Sequence, residues 1–207
     1  MKLADKFTWL RGFLAPVFFL VYFIPVWTGR FGEISVFVMI PLLAFAELTD
    51  YFDGYFARKR NEVSDFGKLF DPFCDVILNV TVFFCLAFSG YMPPFALLLI
   101  VYREFVINFV RLMAAQQGVA IGARKGGKTK TVTYIITCFY TLLLESCARF
   151  GFDPPLFTKT IVIVLSVICV ILAYISLADY LFSFRKVVFA KKEDSGDTSQ
   201  RQNSRAK

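Results

Sequence analysis

The sequence predicts an all-α integral membrane protein of about six transmembrane helices, with a short N-terminal interfacial segment ahead of the first. Three observations predict it. Of the 207 residues, 57% are hydrophobic and only 19% charged, which is more apolar than a soluble domain of this size. Residues 12–27, 34–46, 76–102, 132–144 and 160–178 contain no Asp, Glu, Lys or Arg, and a helix needs about 20 mostly apolar residues to cross a bilayer. The basic residues fall between and beyond these runs, in an alternation that sets one orientation.

Each element follows in order. Residues 1–11, with Lys2, Lys6 and Arg11, form the interfacial segment, and 12–27 the first helix. A basic start before an apolar run is also the pattern of a signal peptide. No small-residue cleavage site follows Trp27, however, and further spans come after it, so this helix is expected to be retained. Thr28 to Glu33, with two glycines, make a turn. The second helix runs from Ile34 to Arg58; at about 1.5 Å per residue it outruns the hydrocarbon layer, which puts its second half among the headgroups.

A charged loop at 59–66 leads to a third helix over 67–88, with Pro72 in its first turn, where the missing N–H would be unpaired anyway. Ser89-Gly90-Tyr91-Met92-Pro93-Pro94 breaks the chain. The fourth helix covers 95–117, a Gly/Lys/Arg loop 118–128, the fifth helix 129–149 and the sixth 157–184, after a turn from Gly151 to Pro155. Residues 190–207 are polar and lack aromatic side chains, so a disordered tail is expected there, after a single membrane domain over 1–189.

One side of the membrane receives Lys2, Lys6 and Arg11; Arg58, Lys59, Arg60 and Lys68; Arg124, Lys125, Lys128 and Lys130; and Arg185, Lys186, Lys191 and Lys192. The other receives only Arg30, Arg149 and Lys159. The positive-inside rule places both termini and the 59–66 and 118–128 loops in the cytoplasm.

Composition also excludes. The net charge of +7 is spread around the spans rather than gathered on one soluble module, so it points to anionic lipid headgroups and not to nucleic acid. Histidine is absent, which removes imidazole bases, His-ligated zinc and haem. The five cysteines form no CxxC pair and lie in or beside apolar runs, as small buried hydrophobes do. Chemistry is left to carboxylates, amines and hydroxyls.

Four carboxylates stand out. Asp50 and Asp53 are three residues apart, and Asp71 and Asp75 four apart, so each pair shares one helix side. The short intervening loop is expected to make helices two and three antiparallel neighbours, with the pairs converging. Carboxylates gathered near a bilayer repel one another unless a cation holds them, and oxygen donors without His or thiolate select Mg²⁺ or Mn²⁺. Gly54 clears space for a ligand to approach the backbone, Ala57 is similarly small, and Arg58 can grip a phosphate or a pyrimidine edge. A single DxxD at a helix end is often only a solvated face. Two facing pairs with Gly and Arg at set offsets are not.

This stretch, from Asp50 to Asp75, resembles the DxxDGxxAR-x8-GxxxDxxxD hallmark of the CDP-alcohol phosphatidyltransferase family, with every fixed position filled. The resemblance implies transfer of a phosphatidyl or phosphoalcohol group from a CDP-linked donor to an acceptor hydroxyl with loss of CMP, in a homodimer with a cytoplasm-facing site. Carried onto this chain, it implies that Asp50, Asp53 and Asp71 ligate the metal, with Asp75 near it and serving as general base. It also implies that Gly54, Arg58 and Ser64 contact the CDP moiety, with Ala57 beside them and Gly67 leaving room.

Within the family the chain is most similar to the branch that uses CDP-diacylglycerol and glycerol 3-phosphate. Tyr102-Arg103-Glu104-Phe105 with Arg111, Gly127-Lys128-Thr129-Lys130-Thr131, and the Thr8 to Pro16 opening carry that likeness. Arg103 and Arg111 share a helix face, and isolated arginines in a span are costly. A phosphate dianion on the acceptor would partner Arg103, Arg111, Lys128 and Lys130. The alternatives are a carboxylate partner for Arg103 and simple positive-inside placement of the lysines. The branch's usual Pro-Asn is replaced by Asp5-Lys6-Phe7, which keeps open a phosphotransferase acting on CDP-choline or CDP-ethanolamine and diacylglycerol. An ion-coupled transporter is the non-enzymatic alternative.

Overall fold

The computed structural model describes residues 3–60, 65–116 and 125–188, and within them the side chains of 8–49, 70–116 and 129–184. These residues form six helices and no strand: α1 Leu3–Thr28, α2 Gly32–Arg60, α3 Asp65–Phe88, α4 Pro94–Gln116, α5 Lys125–Arg149 and α6 Leu156–Val188. The all-α class expected from hydropathy is therefore the observed one. The tail expected over 190–207 lies outside the described residues.

Several boundaries differ from expectation: α2 and α3 each run two residues into the expected 59–66 loop, and α6 continues to Val188. No break separates an N-terminal segment from the first span: one helix runs through Lys6, Arg11 and Gly12, and Pro16, which cannot donate to Gly12 O, does not end it. α5 begins at Lys125 and takes in the end of the expected loop. Two turns close as the glycines demand. Gly90 (φ 79°) and Gly151 (φ 81°) adopt the left-handed conformation after α3 and α5. Each is followed by a residue whose N–H reaches back across the last turn: Tyr91 to Leu86 O at 3.0 Å and Phe152 to Cys147 O at 3.0 Å. Orphan carbonyls at both helix ends are thereby satisfied.

Five helices are long and apolar enough to cross a membrane, over Thr8–Thr28, Gly32–Thr49, Phe70–Phe88, Thr129–Arg149 and Leu156–Phe184. α4, the remaining span expected from sequence, is interrupted by Arg103, Glu104 and Arg111. Arg103 and Glu104 are turned inward and buried, while Phe95, Phe105 and Phe109 face outward at 70%, 70% and 61% exposure. Charge toward the bundle and aromatic surface toward lipid is how a span tolerates ionised groups.

All six helices contribute to one core, with Phe18 and Tyr22 from α1, Met39 and Leu43 from α2, Val82 and Phe83 from α3, Ile100 from α4, Tyr134 and Leu142 from α5, and Cys169 and Ala173 from α6. The five cysteines are free, four of them buried. The expected direct pairing of α2 with α3 is not seen among the described residues. α1 packs against both, and among the described residues α2 and α3 make no helix–helix contact of their own. Small residues allow this arrangement. Ala15 of α1 is buried with Ala46 of α2 and Leu78 of α3, and a Cβ on Gly12 would stand only 3.3 Å from Cys74 Sγ.

A polar clamp closes one end of the bundle. Arg149 Nε donates to Glu145 Oε1 at 2.8 Å, Nη1 to Ser35 Oγ at 2.6 Å and Nη2 to Tyr22 O at 3.1 Å. The Tyr22 hydroxyl and Ser89 Oγ are 2.6 Å apart. The ends of α1, α3 and α5 are thus tied to the start of α2, which leaves the aspartate motif at the opposite end.

Candidate active site

The last turns of α2 carry Asp50, Asp53, Gly54, Ala57 and Arg58, and the first turns of α3 carry Gly67, Asp71 and Asp75. Each aspartate pair sits on unbroken helix, so the one-turn spacing expected from sequence is realised in the backbone. The side chains of Asp50, Asp53, Ala57, Arg58 and Lys128, and the surroundings of Gly54 and Gly67, lie outside the described residues, as does Ser64 altogether.

Asp71 and Asp75 are described, and they converge. Arg11 of α1 pairs with both: its Nη1 donates to Asp75 Oδ1, and its Nη2 stands 3.2 Å from Asp71 Oδ1. The guanidinium is buried at 1% exposure, while the carboxylates keep 42% (Asp71) and 37% (Asp75) of their side-chain surface open. The close approach of α1 to α3 at Gly12 and Cys74 brings Arg11 within reach. Sequence reading gave Arg11 no role beyond a basic start and an opening motif. The available signal was its place at the edge of an uncharged run, since a buried arginine needs carboxylate partners.

These contacts test whether a divalent metal fits. Two carboxylates one turn apart already share a single cationic group, and both are open on one side. Their all-oxygen chemistry suits a hard ion. Among the described residues no group of three or more His, Cys, Asp or Glu stands together, so further ligands would have to come from Asp50 and Asp53.

A second polar cluster joins α4, α5 and α6. Arg103 donates from Nε to Ala173 O at 3.1 Å, from Nη1 to Glu104 Oε2 at 2.8 Å and from Nη2 to Ser176 Oγ at 3.0 Å. Lys130 Nζ reaches the other oxygen of the same carboxylate, Glu104 Oε1, at 2.5 Å, and lies 4.5 Å from the centre of the Tyr134 ring. Arg111 lies farther along α4, its guanidinium 5.9 Å from the Tyr180 ring centre. It remains within electrostatic reach of Lys130.

The structure therefore brings Arg103 and Lys130 together on one carboxylate and places Arg111 beside them. The carboxylate partner foreseen as an alternative for Arg103 is present, in its own neighbour Glu104. Two cations meet on that one carboxylate and Arg111 lies within electrostatic reach of one of them, a surplus of positive charge that a soluble-protein surface would shed to solvent. Here it is enclosed, so a multiply charged anion is the natural complement.

The sequence is similar to those of known proteins. The family model for CDP-alcohol phosphatidyltransferase matches residues 1–172. A Treponema pallidum protein named CDP-diacylglycerol–glycerol-3-phosphate 3-phosphatidyltransferase is 38% identical over 193 residues, 89% of each chain. Proteins of the same name from Bacillus subtilis and Mycoplasma pneumoniae are 35% identical over 148 residues (69% of this chain, 77% of the relative) and 37% identical over 121 residues (58% and 51%). Matched through all but its C-terminal end, with Asp71 and Asp75 of the motif converging on Arg11, this multi-pass membrane protein belongs to the CDP-alcohol phosphatidyltransferase family.

Proposed function

We propose that this enzyme transfers the phosphatidyl group of CDP-diacylglycerol to glycerol 3-phosphate and releases CMP. The observation that carries the reading is likeness over 89% of the chain to one relative, and over 69% to another, that bear that activity in their names. The enclosed surplus of cations at Arg103, Lys130 and Arg111 supports an acceptor that is itself a phosphate ester.

The family generally depends on a divalent metal. Asp50, Asp53, Asp71 and Asp75 would hold Mg²⁺ or Mn²⁺, which when bound supplies Lewis acidity and neutralises pyrophosphate charge. The chain's own residues do the rest. Gly54, Ala57, Arg58, Ser64 and Gly67 bind the CDP moiety. Arg103, Arg111, Lys128 and Lys130 hold the acceptor phosphate and so orient its hydroxyl. Asp75 takes the hydroxyl proton on a carboxylate oxygen, with Arg11 fixing that carboxylate's orientation. The freed electron pair attacks the phosphatidyl phosphorus, the bond to the CMP oxygen breaks, and CMP leaves with that bond's electrons. No covalent enzyme intermediate is needed. The enzyme works as a homodimer in the cytoplasmic membrane, with its site and both termini facing the cytoplasm, and no nucleic acid is involved.

The test supplies CDP-diacylglycerol with glycerol 3-phosphate, serine or inositol phosphate, and separately CDP-choline with diacylglycerol, with Mg²⁺ or Mn²⁺ present. The lipid formed is then identified. Phosphatidylglycerophosphate is expected, and Asp75→Asn should abolish CMP release. Phosphatidylcholine as the sole product would overturn the acceptor, and equal CMP release from wild type and Asp75→Asn would overturn the catalytic assignment. The ion-coupled transporter draws no support from the family or from its named relatives.

A further inference from the structure

Tyr180 of α6 is placed where a phenylalanine would serve packing equally well. It is only 4% exposed and is buried with Ile107 and Val110 of α4, its ring 4.9 Å from that of Phe184. Its hydroxyl is buried with no acceptor for its proton among the described residues; the guanidinium of Arg111, whose Nε is also buried without a partner, lies over the same ring and approaches the phenol oxygen as a donor. Arginine has donors only. Arg111 can give a proton to the phenol oxygen but cannot take the phenol's own. The phenol proton, and any guanidinium N–H not turned on the phenol oxygen, therefore meet no described protein acceptor, and buried polar groups are rarely left so.

The missing complement is an acceptor, and the local charge says which kind. Arg103 is within electrostatic reach of Tyr180, as Arg111 is of Lys130. Ser176, one turn before Tyr180 on the same side of α6, receives Arg103 Nη2 at 3.0 Å. α6 thus presents Ser176 and Tyr180 to α4 in step with Arg103 and Arg111. Ser176 accepts there from an arginine, and Tyr180 likewise meets an arginine while keeping its own proton to give.

We propose that Tyr180 is an acceptor-binding residue, its O–H donating beside Arg111 Nε–H to a phosphate oxygen of the acceptor alcohol. This rests on the reading that the acceptor is a phosphate ester. The hydroxyl selects for an oxyanion in that position, because an acceptor without phosphate leaves both donors unpaired.

The experiment measures steady-state transfer by the full-length enzyme in detergent micelles, wild type against Tyr180→Phe, with glycerol 3-phosphate varied and inorganic phosphate as competing probe. A hydrogen bond to a charged group corresponds to roughly ten-fold or more in binding. KM for glycerol 3-phosphate should therefore rise about ten-fold. Inhibition by phosphate should weaken in parallel, while kcat and the KM for CDP-diacylglycerol stay within about two-fold, since neither depends on this contact. The melting temperature without substrate should not fall, because the substitution removes a hydroxyl whose proton is unmatched and keeps the ring. An unchanged KM for glycerol 3-phosphate, or a lower melting temperature with equal losses in every kinetic constant, overturns the assignment of Tyr180 alone. A wild-type enzyme that does not use glycerol 3-phosphate at all overturns the acceptor reading and this inference with it.

Discussion

Arg11 holds Asp71 and Asp75 from within the bundle, and replacing it with methionine asks what those carboxylates do without a guanidinium. Breaking a fully buried pair costs about 3–5 kcal/mol. The carboxylates here keep 42% and 37% of their side-chain surface open, so solvent screens part of the loss and about 1–3 kcal/mol remains for Arg11→Met. At about 2–4 °C per kcal/mol for a chain of this size, the detergent-solubilised variant in EDTA should melt several degrees below wild type. A divalent cation at the same carboxylates should reverse this, since a ligand at 100 times its Kd stabilises by about 2.7 kcal/mol. In wild type the ion must share the carboxylates with a fixed guanidinium; in the variant it does not. Excess Mn²⁺ should therefore raise the melting temperature of Arg11→Met more than that of wild type. Equal increments in the two proteins, or a variant as stable as wild type in EDTA, would refute the reasoning that Arg11 and the metal answer the same charge.

Two further outcomes follow from packing, one far from the carboxylates and one beside them. Arg149→Met strips Glu145, Ser35 and the Tyr22 carbonyl of their shared donor, with an expected loss of about 3–5 kcal/mol. Adding Glu145→Leu should recover most of it, with CMP release per folded molecule unchanged throughout, because the clamp closes the end of the bundle opposite the motif. At Gly12, where a Cβ would stand 3.3 Å from Cys74 Sγ, Gly12→Ala should be nearly neutral. Its helix propensity, better than glycine's by about 1 kcal/mol, offsets the tight contact. Gly12→Val should cost about 1–3 kcal/mol by prising α1 from α3, as read by thermal unfolding.

The candidate site was legible as a motif because its signals are local. Asp50 and Asp53, or Asp71 and Asp75, need only helical spacing to point one way, and the GKxKT-like stretch needs only to be read. Arg11 was not legible in this way. It is 64 residues from Asp75, and nothing in its immediate neighbours names that partner. Glu104 was visible only as part of a tetrapeptide, yet it is the carboxylate on which Arg103 and Lys130 meet. Tyr180 gave no signal at all, since a tyrosine in an apolar helix looks the same whether or not its hydroxyl is matched.

Hydropathy and spacing alone determined the helices, the polarity of their ends and the pairing of aspartates along each helix, because those properties depend on residues within a turn or two. Tertiary structure alone decided that α1 lies against both α2 and α3, that Arg11 spans the α3 carboxylates, and that α6 sets Ser176 and Tyr180 against α4. The physical reason is that lipid is as apolar as the helices it surrounds. Helix partners are then chosen by close fit at small residues such as Gly12, Ala15 and Ala46 and by buried polar pairs, both of which join positions remote in the chain.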